Sequence, residues 1–163
     1  MIRGIHHVAL ATGQLERMIS FYCDALGFEV VYRSGWDEGS ASIDQLIGLE
    51  GSAATTAMLR TGTVFVELFE FSSPPARPGD PNRPVCDHGY THFCLDVEDI
   101  DAECERLAAL GMPFHSPPTP TPVRVRRGSV RSVYGRDPDG NVIELLERLH
   151  PDSPLQPANG RKG

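Results

Sequence analysis

Apolar and polar residues alternate with a period of two along Ile5-His6-His7-Val8-Ala9-Leu10, and again along Tyr90-Thr91-His92-Phe93-Cys94-Leu95-Asp96-Val97. That period marks a strand with one buried face. Each strand runs into helical spacing. Leu15, Met18, Ile19 and Tyr22 fall at i, i+3, i+4 and i+7 of a helix over about 14–26, which Gly27 stops. A second helix is predicted over about 100–110, with Asp99 as N-cap, Cys104, Leu107 and Ala108 as its apolar stripe and Gly111 as its stop. Twenty positions separate His7 from Gly27, and nineteen separate His92 from Gly111.

The ends of the two stretches also match. Val64-Phe65-Val66-Glu67-Leu68-Phe69-Glu70 parallels Asn141-Val142-Ile143-Glu144-Leu145-Leu146-Glu147, each a strand carrying E-L-x-E. The chain therefore reads as an internal repeat. A first β-α-β-β-β module spans 1–73 and a second spans 88–149. A linker with five prolines joins them over 74–87, and a polar tail expected to be flexible covers 150–163. The segment 34–62 is longer than its counterpart and predicts an added turn or short helix around Asp44-Gln45-Leu46-Ile47. Pro117, Pro118, Pro120 and Pro122 predict a loop in the second module. The expected fold class is α+β, with two tandem β-α-β-β-β modules.

With 163 residues, 40% of them hydrophobic, the chain can bury a real core. No apolar run is long enough to span a membrane, and the N-terminus lacks the build of a secretory signal, so a cytoplasmic protein is expected. A net charge of −7 argues against a nucleic-acid partner. Cys23, Cys86, Cys94 and Cys104 form no C-x-x-C pair and read as reduced thiols.

Charge changes the picture at two places. Glu67 shares a strand face with Phe65 and Phe69, and Glu144 with Val142 and Leu146. A carboxylate on an apolar face needs a partner. Each module also carries one histidine on its first strand. A twofold-like pairing of the modules brings His7, Glu67, His92 and Glu144 together, and two imidazoles with two carboxylates balance a divalent cation. That N/O set suits Zn, Ni, Co, Mn or Fe better than calcium. His6 is expected on the opposite face from His7, and Glu70 and Glu147 are expected to face solvent. The second place is an arginine group. Arg124 and Arg126 alternate along one strand and Arg131 lies on the next; they are candidates for binding an anionic substrate, or else solvated charges.

These residues resemble the vicinal oxygen chelate superfamily, which includes glyoxalase I, methylmalonyl-CoA epimerase, extradiol dioxygenases and fosfomycin-resistance proteins. The motifs are I-H-H-V-A-L at 5–10, F-Y-C-D-A-L-G-F at 21–28, V-E-L at 66–68, T-H-F-C-L-D-V-E-D-I-D at 91–101 and D-P-D-G-N-V-I-E-L at 137–145. The resemblance implies that the mixed sheets of the two modules curve, cup-like, into one domain holding one divalent metal ion through His7, Glu67, His92 and Glu144. It implies a metal that chelates neighbouring substrate oxygens while Glu144 or Glu67 moves a proton α to a carbonyl. The expected activity is that of a lyase or isomerase, glyoxalase I-like or epimerase-like, acting on a small molecule as a homodimer. Glu67 stands where methylmalonyl-CoA epimerases have glutamine, and Thr55-Thr56-Ala57-Met58-Leu59 lacks the extra glutamate of those enzymes. An extradiol-type Fe(II) dioxygenase and a metal-free antibiotic-binding protein are the alternatives.

Overall fold

Both helices end as their glycines dictate. Gly27 and Gly111 adopt positive φ of 71° and 92°, which a side chain rarely tolerates. After each glycine a buried apolar residue, Phe28 or Met112, turns back onto the helix through its amide, to Tyr22 O at 3.0 Å and Leu107 O at 3.0 Å. The computed structural model describes residues 1–125, 128–149 and 155, with the backbone alone for 120–125, 128 and 129. The expected tail therefore lies outside the described residues except for Leu155.

The chain divides into two compact units, Met1–Gly79 and Asp80–Gly163. The first contains β1 (His7–Ala11), α1 (Leu15–Ser20) running on as a π-helical turn over Phe21–Ala25, β2 (Glu29–Trp36), α2 (Ala41–Ile47), β3 (Ala53–Thr61) and β4 (Val64–Ser73). The second contains β5 (His92–Asp96), α3 (Ile100–Ala109), β6 (Thr119–Val125), β7 (Gly128–Arg136) and β8 (Val142–Arg148). The sheets share one topology. The first has the order β1-β4-β3-β2 and the second β5-β8-β7-β6. In each, the first strand runs parallel to the last and the other neighbours are antiparallel. This is the mixed α+β architecture that the repeat predicts.

The expected insert 34–62 narrows considerably. Trp36 still belongs to β2 and Ala53 already belongs to β3, so only the stretch between them, with α2 at its centre, is added. The proline loop is corrected too: Pro120 and Pro122 lie in β6. β6 is the sheet's edge, where a missing N–H breaks no interior ladder.

In each unit one sheet face carries the core. Leu15, Met18, Ile19 and Tyr22 are buried in unit 1 together with Ala57, Leu59, Val66 and Leu68 of β3 and β4. In unit 2 the corresponding layer is Ile100, Cys104 and Leu107 with Val133, Ile143 and Leu145. Among the described residues no helix is long and apolar enough to cross a membrane. All four cysteines are free; Cys104 is buried, whereas Cys86 and Cys94 are exposed.

The second glutamate of each E-L-x-E belongs to this core side, which corrects the expectation of a solvent-facing residue. Glu70 accepts the Leu15 N–H at 2.9 Å, and Glu147 accepts the Asp99 N–H at 2.9 Å. These amides begin α1 and α3 and have no partner inside the helix, so a carboxylate there satisfies a donor and complements the helix dipole. Asp99 is also the N-cap foreseen, accepting from Ala102 N at 3.2 Å.

The turn into β8 is held from within. Buried Asp137 accepts from Asp139 N, Asn141 N and Asn141 Nδ2 at 3.0, 2.8 and 2.8 Å. Gly140 has φ 86°, and a Cβ there would meet Pro81 Cα at 2.3 Å.

Candidate functional site

The faces opposite the two cores carry the residues singled out for chemistry. In unit 1, register places His7 beside Phe65, Ala9 beside Glu67 and Ala11 beside Phe69. Met58 and Thr56 lie across from Glu67 and Phe69 on β3. In unit 2, His92 pairs with Val142 and Cys94 with Glu144, while Tyr134 lies across from Glu144 on β7. The offset between histidine and glutamate is therefore identical in both units. Each histidine sits one diagonal step from its glutamate, within side-chain reach.

The side chains make that contact. His7 Nε2 lies 3.5 Å from Glu67 Oε2, and His92 Nε2 lies 3.0 Å from Glu144 Oε2. The other ring nitrogen is held as well, each time by the preceding residue. His7 Nδ1 is 3.0 Å from His6 Nδ1, and His92 Nδ1 is 2.9 Å from Thr91 Oγ1. A ring donating through Nδ1 presents a lone pair at Nε2, the arrangement of a metal-binding histidine with its outer partner. Both glutamates are largely shielded, with side-chain exposures of 17% and 14%.

The donor set thus fits a divalent transition ion: an imidazole Nε2 and a carboxylate oxygen stand side by side in each unit. Among the described residues, no group of three or more His, Cys, Asp or Glu is placed to bind a metal ion. Each unit holds one His–Glu pair.

His6 departs from expectation. β1 begins only at His7, so strand alternation does not govern His6. Its ring stacks on Phe65 at 4.9 Å between centroids and supports His7.

The surroundings of the two pairs differ. In unit 1 the face beyond Glu67 is aromatic. Phe69 and Phe71 stack at 5.7 Å, and Trp36 meets them edge-on at 6.2 and 6.0 Å. In unit 2 the neighbours are polar and titratable. The Tyr134 ring lies 4.8 Å from that of His92 and 6.3 Å from that of His115. Arg136 donates through Nε to His115 Nε2 at 3.1 Å, and to Gly140 O and Arg83 O at 2.6 and 2.9 Å. Desolvation, followed by the Glu144 carboxylate, pushes the Cys94 thiol up to about 12, although the residue keeps contact with solvent. The same two causes raise Tyr134.

Of the arginine group, Arg131 lies away from this face. Arg131 is paired in register with Glu147, three residues along from Glu144 and so on the core side of β8. It grips Asp101 of α3 through both terminal nitrogens at 2.6 and 2.7 Å, and this pairing holds the Asp101 carboxyl below its ordinary value. Arg131 is thus committed to the helix flank and not to substrate. The Arg124 side chain and Arg126 lie outside the described residues.

Comparison with known proteins agrees with this fold. The family model for the Glyoxalase/Bleomycin resistance protein/Dioxygenase superfamily matches residues 4–145. A lactoylglutathione lyase of Haemophilus influenzae is 28% identical over 151 residues, covering 93% of this chain and 97% of the relative. A 2-epi-5-epi-valiolone epimerase of Actinomyces is 33% identical over 108 residues, covering 65% of this chain and 58% of the relative. Among solved structures, a glyoxalase family protein from Bacillus cereus superposes with a TM-score of 0.76 at 26% identity, covering 91% of this chain and 96% of that one.

Proposed function

Because the chain belongs to the Glyoxalase/Bleomycin resistance protein/Dioxygenase superfamily, we propose that it is a divalent-metal-dependent isomerase or lyase that moves a proton beside a chelated carbonyl or enediolate of a small molecule. One observation carries this reading: the same His–Glu pair, with the same register and the same held Nδ1, is built twice. His7, Glu67, His92 and Glu144 would hold the ion, one of Zn, Ni, Co, Mn or Fe. When bound, the ion supplies Lewis acidity to neighbouring oxygens of the substrate.

The remaining work falls to the chain. Glu144 or Glu67 takes a proton from the carbon next to the carbonyl and returns it, as a carboxylate within reach of both positions can. His6 and Thr91 fix the histidine rings, so the donors need little reorganisation. Lyase and isomerase chemistry is favoured over an extradiol dioxygenase by the donor count, since a fourth protein donor leaves fewer positions for catechol and oxygen.

The test is metal content of the purified protein beside Glu67→Gln and His92→Ala. Near one transition ion per chain, lost in both variants, with solvent deuterium entering α-hydroxycarbonyl or hemithioacetal substrates, is the expected result. Well-folded protein that takes up no ion overturns the reading and leaves a metal-free binding protein.

A further inference from the structure

The segment added between β2 and β3 has no counterpart in unit 2, and its polar contacts converge on one side chain. Asp44, in α2, accepts from Gly51 N and Ser52 N, both at 2.9 Å, and from the Ser52 hydroxyl. Ser52 is fully buried, and its oxygen accepts the indole N–H of Trp36 at 2.9 Å. Hydrogen bonds from Ser52 hold the Asp44 carboxyl below its ordinary value. The added segment therefore fixes the orientation of Trp36.

The indole so held stands against Phe69 and Phe71 on the face of Glu67. Phe69 follows Glu67 by two residues, so the first ring lies roughly 6.5–7 Å along the strand from the carboxylate. The strand positions around it are small: Ala11 beside Phe69 on β1, Thr56 across from Phe69, and Ala54 across from both Phe71 and Trp36. Half-buried rings above small residues leave apolar surface for a ligand to cover. Three rings meeting edge-on and stacked suit a flat group.

We propose that Trp36, Phe69 and Phe71 form a specificity subsite for a flat apolar group, aromatic or unsaturated, carried by a substrate whose oxygens are held beside Glu67. Asp44 and Ser52 are positioning residues that act through Trp36. The inference rests on reading the His–Glu pairs as a chelation site. It explains why the first unit carries the added segment: the second unit's face has no indole to orient.

Two bidentate oxygen chelators that differ only in this group test it: benzohydroxamate and acetohydroxamate, titrated into the full chain loaded with Zn. Trp36 is the sole tryptophan, so its emission reports the subsite directly. Benzohydroxamate is expected to bind at least about tenfold tighter than acetohydroxamate and to quench Trp36, whereas acetohydroxamate binds without quenching. Phe71→Leu, with Trp36 retained, is expected to weaken both the preference and the quenching. Ser52→Ala is expected to shift the emission and reduce the preference while leaving acetohydroxamate affinity in place. Equal affinities with no quenching, in protein that binds Zn and acetohydroxamate, overturn the subsite and spare the chelation site. Quenching by benzohydroxamate in protein that holds no Zn keeps the subsite and overturns the chelation site. Binding of neither compound overturns both.

Discussion

The two units use one skeleton to build different surroundings for the same pair of side chains. Strand order, parallel first and last strands, a glycine-stopped helix, a capping glutamate and a histidine held through Nδ1 recur in both. Where unit 1 places Ala9 and Met58 around its glutamate, unit 2 places Cys94 and Tyr134. One face is aromatic and pinned by an added segment; the other is polar and tied to Arg136 and His115. What recurs is what the fold and the donor pair require. What differs is the lining beside each pair, apolar in unit 1 and polar in unit 2.

The comparison can be broken most forcefully in the cores. Leu68 and Leu145 hold matching positions in β4 and β8 and are both fully buried. Leu68→Ala and Leu145→Ala should each cost about 2–5 kcal/mol in urea unfolding, with similar values if the packing is as equivalent as the register. A loss below about 1 kcal/mol in either would show a core able to collapse around the cavity.

At the donor pairs, His6→Ala and Thr91→Val should each weaken Zn affinity by roughly 10–100-fold in a competition assay with a chromophoric chelator. If only one does, the two rings are not equivalently supported. At the helix starts, Glu70→Ala and Glu147→Ala should each destabilise by ~1 kcal/mol. The Glu147 variant should lose more, because Arg131 lies 3.7 Å from that carboxylate as well.

The smallest expected effect concerns unit 1 alone. Asp44 has a lowered folded pKa, so its contribution is complete above the unfolded value near about 3.9 and is lost as pH falls through the folded value. Trp36 emission should stay constant from neutral pH down to about 4 and change below it. Asp44→Asn should show the altered emission already at neutral pH.

Most of the frame is legible in the letters, because period-2 and period-3.6 patterns are local and the repeat doubles each signal. Glu67 and Glu144 follow from alternation alone. Glu70 and Glu147 do not, since their partners are amides 55 and 48 residues away. Their spacing held the clue, however: three residues along a strand reverses the face, and the reverse face of each strand is the core. His6 was misplaced by one residue's difference in where β1 begins. Arg131 needed the β7–β8 register to show that it meets Glu147 and not Glu144. Trp36 was silent because its cluster assembles across β2 and β4, outside any local window.

E-L-x-E fixes two surfaces with one short run, and this makes β4 and β8 unusually intolerant of length change. Inserting or deleting a single residue between Glu67 and Glu70 would turn both carboxylates to the same side. The amide at the start of α1 would lose its acceptor, and two anions would crowd one imidazole. Substitutions at Leu68 or Phe69 alter packing or preference by degrees, whereas a one-codon slip there removes a helix anchor and a site together. The segment between β2 and β3, by contrast, has already accepted a helix.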